Sequence, residues 1–541
     1  MTAQARIFSF MHEREAIVAD VTARVVRDRV AAARSGADQS LEYVLNEAAL
    51  LEMQRMEKGR PSALDLHPYG YWQGLARTVA TLPVVEKERL LRDLTGAYAR
   101  DVAGRFTPGV YRFATSVLPV GLGALLSAQR PSSLLNGARK LQERIVLTGA
   151  MGHWRRLAEL GTLIVVPTHS SNLDSIAVGY ALHEAGLPPM TYGAGKNLFS
   201  NPLTSFFMHN LGAYKVDRRI RHTLYKDVLK TYSEVLLEGG YHSLFFPGGT
   251  RSRSNHVETK LKLGLLGTGL SAYAANLKAG KTRPHVYVCP LTINYHLVLE
   301  AETLIDDHLR QDGGHRYLIE DDEFSNPAKV AQFLMKTVGM EDTVHIRFGE
   351  PLDLFGNPVD GEGDSRDPRG RPIDTARYLW RHGEVAPDAA RDAEYTRQCG
   401  QAIAASFQRN TVAVSTAVVA LAAWQQLSAR YAGLDLYQRL RVAKGERLAH
   451  AGVCERVAVL QGELQRLAAA GQVQLAPEIM ALTPAALVSA AAAVFATWHT
   501  APVLALADGV VEVGHPNLLH YYANRLSGFG MPTGGRATEA A

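Results

Sequence analysis

Leu163-Ile164-Val165-Val166-Pro167-Thr168-His169-Ser170-Ser171-Asn172-Leu173-Asp174 is a short β-branched run stopped by a proline, followed at once by a polar turn that holds a histidine and an aspartate. A run of this kind reads as a buried strand, because nothing in it alternates with polar residues. Ser243 to Phe246, Val286 to Val288 and Val344 to Phe348 read the same way, and between them Thr223 to Leu237 has apolar residues at helical spacing. Strands alternating with helices define an α/β layer structure with a largely parallel or mixed sheet. The unit is expected over residues 146–355.

Outward from this centre the pattern changes. In the N-terminal part, residues 1–145, Ile17, Val21 and Val25 recur every four positions, and Leu41, Val44, Leu45, Ala48 and Leu51 make a second helical stripe behind a cap at Asp38. Helical character there is broken near Pro61, Pro108 and Pro131. Residues 356–395 open with a stretch rich in glycine, proline and charge and read as a linker or mobile loop. Residues 396–541 are Ala-rich and helical, with a disordered end from Gly534. The fold class is therefore α/β, a central mixed-sheet domain flanked by N-terminal and C-terminal helical regions.

Composition narrows the function. Among 541 residues, 58 Lys and Arg stand against 53 Asp and Glu, a surplus of only five positive charges, which excludes a dedicated nucleic-acid binder. Three cysteines, Cys289, Cys399 and Cys454, supply neither a disulfide framework nor paired metal-ligand spacing, so a reducing compartment is the default. Charges at His12, Glu13, Arg14 and Glu15 stand where a signal peptide would be apolar. Two apolar stretches, Phe113 to Ala128 and Thr411 to Trp424, fall short of the roughly 20 residues that a spanning helix needs. Buried core is the simpler account of both, with contact to a membrane surface the alternative.

Several familiar signatures fail. Gly280-Lys281-Thr282 ends like a phosphate-binding loop, but Ala275 stands where its first glycine belongs. Gly267-Thr268-Gly269 with Ala272 imitates a dinucleotide fingerprint without a strand before it or an acid after it. Neither a nucleophile elbow nor a zinc-peptidase helix occurs. No cofactor and no metal is expected.

The His169–Asp174 turn carries intelligible chemistry. On a continuous helix, five steps of 100° would leave the two side chains about 140° apart. With His169 in the strand-to-helix turn and Asp174 in the first helical turn, they can approach, at the carboxyl end of a strand where open α/β sheets bind ligands. An imidazole there can take a proton from an attacking alcohol, and an aspartate on its other nitrogen fixes the tautomer. Both residue types are also common near helix starts as caps.

Two further segments, Gly212-Ala213-Tyr214-Lys215-Val216-Asp217-Arg218-Arg219 and Phe245-Phe246-Pro247-Gly248-Gly249-Thr250-Arg251-Ser252-Arg253, put cations beside glycines near strand ends, where guanidinium forks and backbone N–H groups can hold a phosphate. Taken singly, each reads equally as solvated surface charge. All three segments fall within 85 residues.

Together with Val288-Cys289-Pro290-Leu291-Thr292-Ile293-Asn294-Tyr295, these segments resemble the four ordered blocks of the glycerolipid acyltransferases. Gly193-Ala194-Gly195-Lys196-Asn197-Leu198, Tyr295 through Glu300, Val44 to Ala48, Phe348-Gly349-Glu350-Pro351 and Leu518 to Asn524 are similar to the glycerol-3-phosphate acyltransferase branch. The resemblance implies that His169 and Asp174 are catalytic and that Lys215, Arg218, Arg219, Arg251 and Arg253 bind the acceptor phosphate. It implies transfer of a fatty acyl group from acyl-CoA or acyl carrier protein to the 1-hydroxyl of glycerol-3-phosphate, giving lysophosphatidic acid for phospholipid biosynthesis. With no protein nucleophile in evidence, the transfer would be direct. Acylation of lysophosphatidic acid, or lipid binding without turnover, are the alternatives. One departure stands out: the third block usually carries a glutamate where this chain has Gly248. Expected partners are the two substrates and a membrane surface, with peripheral attachment at the cytoplasmic face and no nucleic acid.

Overall fold

A computed structural model describes residues 3–36, 39–58, 65–116, 144–199, 202–312 and 343–531. The cap expected at Asp38, the breaks at Pro61 and Pro131, residues 117–128 of the first apolar stretch and the end from Gly534 lie outside the described residues.

Seven strands form one sheet: β1 (Ile145–Gly149), β2 (Thr162–Pro167), β3 (Thr191–Gly195), β4 (Ala213–Val216), β5 (Ser243–Leu244), β6 (Val286–Tyr295) and β7 (Val344–Phe348), in the order β1-β7-β6-β2-β5-β3-β4. Every neighbouring pair is parallel except β6 with β7. The sheet is mixed and largely parallel, within what the alternation of strands and helices predicts. β2 lies at its centre between β6 and β5, and all six of its residues are buried. That position explains why the quoted run is uniformly apolar, since both faces of a covered parallel sheet are dry. β6 runs well past the expected Val286–Val288. Pro290 does not end it, because the neighbour on one flank changes there, from Leu352 opposite Val288 to β7 opposite Leu291 onward.

The helices that matter to the site are α1 (Phe10–Ser35), α2 (Leu41–Lys58), α3 (Val84–Val102), α4 (Asp174–Glu184), α5 (Thr223–Glu238), α6 (Gly267–Lys278), α7 (Ser415–Arg430) and α8 (Pro516–Ser527). The N-terminal helices share one core with α5, in which Val21, Val25, Val44 and Leu45 meet Tyr214, Tyr225 and Tyr232. Arg24 clamps the end of α5 through both oxygens of Glu238, at 2.7 and 2.9 Å. In α6 a Cβ at Gly269 would fall 2.7 Å from both Ile164 Cδ1 and Leu354 Cδ2. Of the glycines that imitated a nucleotide fingerprint, Gly269 thus serves close helix-to-sheet packing.

The second apolar stretch becomes α7, buried along nearly its whole length and packed on α8. Residues 356–395 have more form than a linker: Ser365–Arg366 pairs with Pro372–Ile373, and Trp380–Arg381 with Glu384–Val385. Short-range chemistry builds these turns, since Asp360 Oδ1 accepts from Glu362 and Asp364 N–H and Asp367 Oδ1 from Arg369 and Arg371 N–H. Val359, Leu379 and Val385 are buried at their base. Few apolar residues suffice because the asparates do the folding locally.

Candidate active site

The proline that stops β2 turns the chain toward α4, and the turn puts His169 against Asp174 with Nδ1 to Oδ2 at 2.8 Å. Asp174 is completely buried. Its Oδ2 also accepts the N–H groups of Ser170 at 2.6 Å and Ser171 at 2.8 Å, and its Oδ1 accepts the hydroxyl of Tyr295 at 2.6 Å. A buried carboxylate with this many donors is held as the anion acceptor the turn needs. Because the carboxylate can only accept, His169 Nδ1 carries the proton and Nε2 presents a lone pair. That is the tautomer of a general base.

The imidazole is fixed on other sides as well. It stacks on Phe246, with centroids 4.1 Å apart at 22°, and its side chain remains 17% exposed, so a substrate oxygen can reach it. The backbone of His169 is tied to the loop after β5 through both of its groups: Ser252 N–H donates to its carbonyl at 2.7 Å, and its own N–H donates to Glu258 Oε1 at 2.8 Å.

The expected cations divide into two sets. Lys215 is engaged with Asp101 of α3 at 2.7 Å, and Arg219 with Asp217, which Lys196 also approaches at 3.2 Å. Arg218 and Arg251 lie close enough to repel. Crowding by protein atoms lowers the Arg218 pKa although the side chain reaches solvent; Tyr192 works against that and Arg251 adds to it. Arg251 is steadied by Glu300 at 3.4 Å. Glu300 in turn accepts from Asn172 N–H and, at 3.1 Å, from Ser171 Oγ, so it links the arginine loop to the turn that holds His169 and Asp174. Burial pushes the Glu300 carboxyl up to about 7 against the pull of Arg251. Arg253 is half-buried on the same loop.

Sequence reasoning assigned no role to Lys196, Phe246, Glu258, Tyr295 or Glu300. Tyr295 and Glu300 stood inside a recognisable block, whereas Glu258 carried no signal, since only the closure of its loop brings it back to His169. Among the described residues one trio could close on a metal, His296, His345 and Glu478, with ligand atoms within 4.8 Å of one another. His296 already faces acceptors on both sides, Glu478 Oε1 at 2.7 Å and the Thr343 carbonyl at 3.0 Å, an arrangement that a protonated imidazole satisfies without an ion.

A histidine at a β-strand terminus, an aspartate that sets its tautomer and arginines on the adjacent loop suit acyl transfer, and residues 153–294 match the family model described as Acyltransferase. Glycerol-3-phosphate acyltransferases are among the similar proteins. That of Actinobacillus succinogenes is 35% identical over 151 residues, 28% of this chain and 18% of that protein. That of Pasteurella multocida is 32% identical over 202 residues, 37% of this chain and 23% of its own. That of Pseudomonas syringae pv. tomato is 27% identical over 316 residues, 58% of this chain and 32% of its own. The chain thus aligns with between about a fifth and a third of the length of these relatives. Over the aligned region the chain carries an acyltransferase domain and is similar to glycerol-3-phosphate acyltransferases.

Proposed function

We propose that the protein transfers a fatty acyl group from a thioester, acyl-CoA or acyl carrier protein, to the 1-hydroxyl of glycerol-3-phosphate, giving lysophosphatidic acid. The observation that carries this reading is the His169–Asp174 pair, which leaves Nε2 as an acceptor beside an arginine-bearing loop. The acceptor phosphate lies against Arg218, Arg251 and Arg253, with Arg219 and Lys215 adding charge from behind their carboxylate partners. His169 Nε2 takes the proton of the 1-hydroxyl as its oxygen attacks the thioester carbonyl. Asp174 holds the resulting imidazolium, and the proton then passes to the departing thiolate. Names of the relatives support the acceptor. The donor is proposed from its chemistry alone, since an amphiphilic thioester suits a protein that works at a membrane surface. Peripheral attachment to the cytoplasmic face belongs to the same proposal.

The test is purified protein supplied with palmitoyl-CoA or palmitoyl-acyl carrier protein and, in parallel, labelled glycerol-3-phosphate or lysophosphatidate. Lysophosphatidic acid from the first acceptor is the expected product. Product only from the second acceptor would move the assignment to the next acylation, and none from either would leave a lipid-binding relative.

A further inference from the structure

The loop between β5 and α6 is closed on itself by Lys262 N–H to the Pro247 carbonyl at 2.6 Å. Within it Gly249 has φ +78° and needs to be glycine for conformational reasons, but Gly248 does not fall in the left-handed region. The constraint on a side chain at 248 is space, not conformation, and it holds while Glu258 stays in place. A Cβ there would lie 2.6 Å from Glu258 Oε2 and 2.8 Å from its Cδ. The occupant of that space is a carboxyl group arriving from the far side of the same loop.

That group is buried and costly to bury. Its Oε1 accepts the His169 N–H at 2.8 Å, while its Oε2 is enclosed without a hydrogen-bond partner among the described residues. Burial raises its pKa to about 7, with Asp174 adding to the rise and Arg525 of α8 opposing it. A glutamate kept under such conditions needs a compensating role. The loop that carries Glu258 also carries Ser252, whose N–H holds the His169 carbonyl, and Arg251. Both backbone groups of the base are therefore latched to the loop that presents the arginines.

We infer that Glu258 is a positioning residue for His169, fixing the base relative to the arginines, and that its carboxyl takes from position 258 the place that a side chain at 248 would occupy. The inference rests on the proposed acyl transfer for its kinetic reading, but the latch itself is independent of substrate identity. In the family pattern a glutamate stands where this chain has Gly248. Here the carboxyl group is present in that space, on a different residue.

The experiment uses the 541-residue chain as wild type, Glu258→Ala, Glu258→Met, Glu258→Gln and the double variant Gly248→Glu/Glu258→Ala. A base displaced by about 1 Å costs on the order of 100-fold, so Glu258→Ala should lose about that in kcat with the thioester KM unchanged. Glu258→Gln, which keeps a carbonyl acceptor, should recover most of the loss, and the double variant, which supplies a carboxyl from 248, should exceed Glu258→Ala. Glu258→Met fills the volume without an acceptor and carries the comparison if the alanine variant unfolds. A second readout needs no turnover: in protein labelled at histidine Cε1, the His169 resonance, identified by its loss in His169→Ala, should shift in Glu258→Met and hold its place in Glu258→Gln. Wild-type kcat in the alanine or methionine variant, or a His169 resonance that moves in neither, overturns the inference. Inactive wild type with a shifted resonance would instead refute acyl transfer and leave the latch standing.

Discussion

His169→Ala removes only a proton acceptor from a partly exposed turn, so transfer should fall by about 100-fold to 10,000-fold while the fold persists. Circular dichroism together with single-turnover rates checks both halves, and a variant that keeps more than about half of wild-type turnover would remove His169 from the mechanism. On the proposed reading, Arg251→Ala and Arg253→Ala act on the acceptor. Loss of a charge-assisted pair, worth roughly 1.5 to 3 kcal/mol, should raise the glycerol-3-phosphate KM with almost no change in the thioester KM. Equal weakening of both substrates would show that the loop had collapsed. At this scale the sequence revealed what is local. His169 and Asp174 are five positions apart on one turn and meet as their spacing allows. Glu258 was silent because its partner is brought to it by loop closure, which no spacing rule describes, and Glu300 lay in a recognisable block whose partners the spacing did not reveal.

Helix α5 depends on one neutral histidine at its start. His222 Nδ1 accepts the Tyr225 N–H at 3.2 Å, so its proton is on Nε2, which meets the Tyr98 hydroxyl of α3 at 3.0 Å. Burial, reinforced by Lys226 and Arg55, brings its pKa down from 6.5 to about 3. Between those two values the unfolded chain binds a proton that the folded chain refuses, so stability is lost as pH falls from about 6.5 toward 3. Urea midpoints measured across that interval should decline less steeply for His222→Gln, and identical slopes would exclude His222 as a source of the acid sensitivity. The same helix shows why some elements were legible. Thr223 to Leu237 repeats its apolar residues over four turns, enough to outvote local accidents. By contrast β3 contains two glycines in five residues and β4 spans only four, with a lysine among them. Their pairing with β5 and with each other, not their composition, makes them strands.

On the scale of the molecule, the proposed peripheral attachment to a membrane has its own test. No helix among the described residues is long and apolar enough to cross a bilayer. Phe113, at the start of the first apolar stretch, is 49% exposed, and Arg218, Arg219 and Arg221 reach solvent. Each such cation near anionic lipid contributes about 1 kcal/mol, a salt-sensitive attraction. Protein pelleted with membranes should therefore come off at least partly in high salt or alkaline carbonate. Resistance to both, with release only by detergent, would refute peripheral attachment. The helical flanks were legible from their stripes, but their docking was not. Arg525 of α8 reaches the Ile293 carbonyl at 3.1 Å and Asn294 Oδ1 at 2.7 Å, and Asn524 reaches the Ser254 carbonyl at 3.0 Å, so the C-terminal region braces the arginine loop. The parallel pairing of β1 with β7 carries a different consequence, for synthesis. Ile145 aligns with Val344, and among the described residues β1 has no other neighbour in the sheet. A ribosome adding 5–20 residues per second needs about 10 to 40 s to deliver that partner. Throughout the interval the nascent chain offers an unpaired edge, so elongation speed and growth temperature join amino-acid identity in setting how much of this protein reaches its native state.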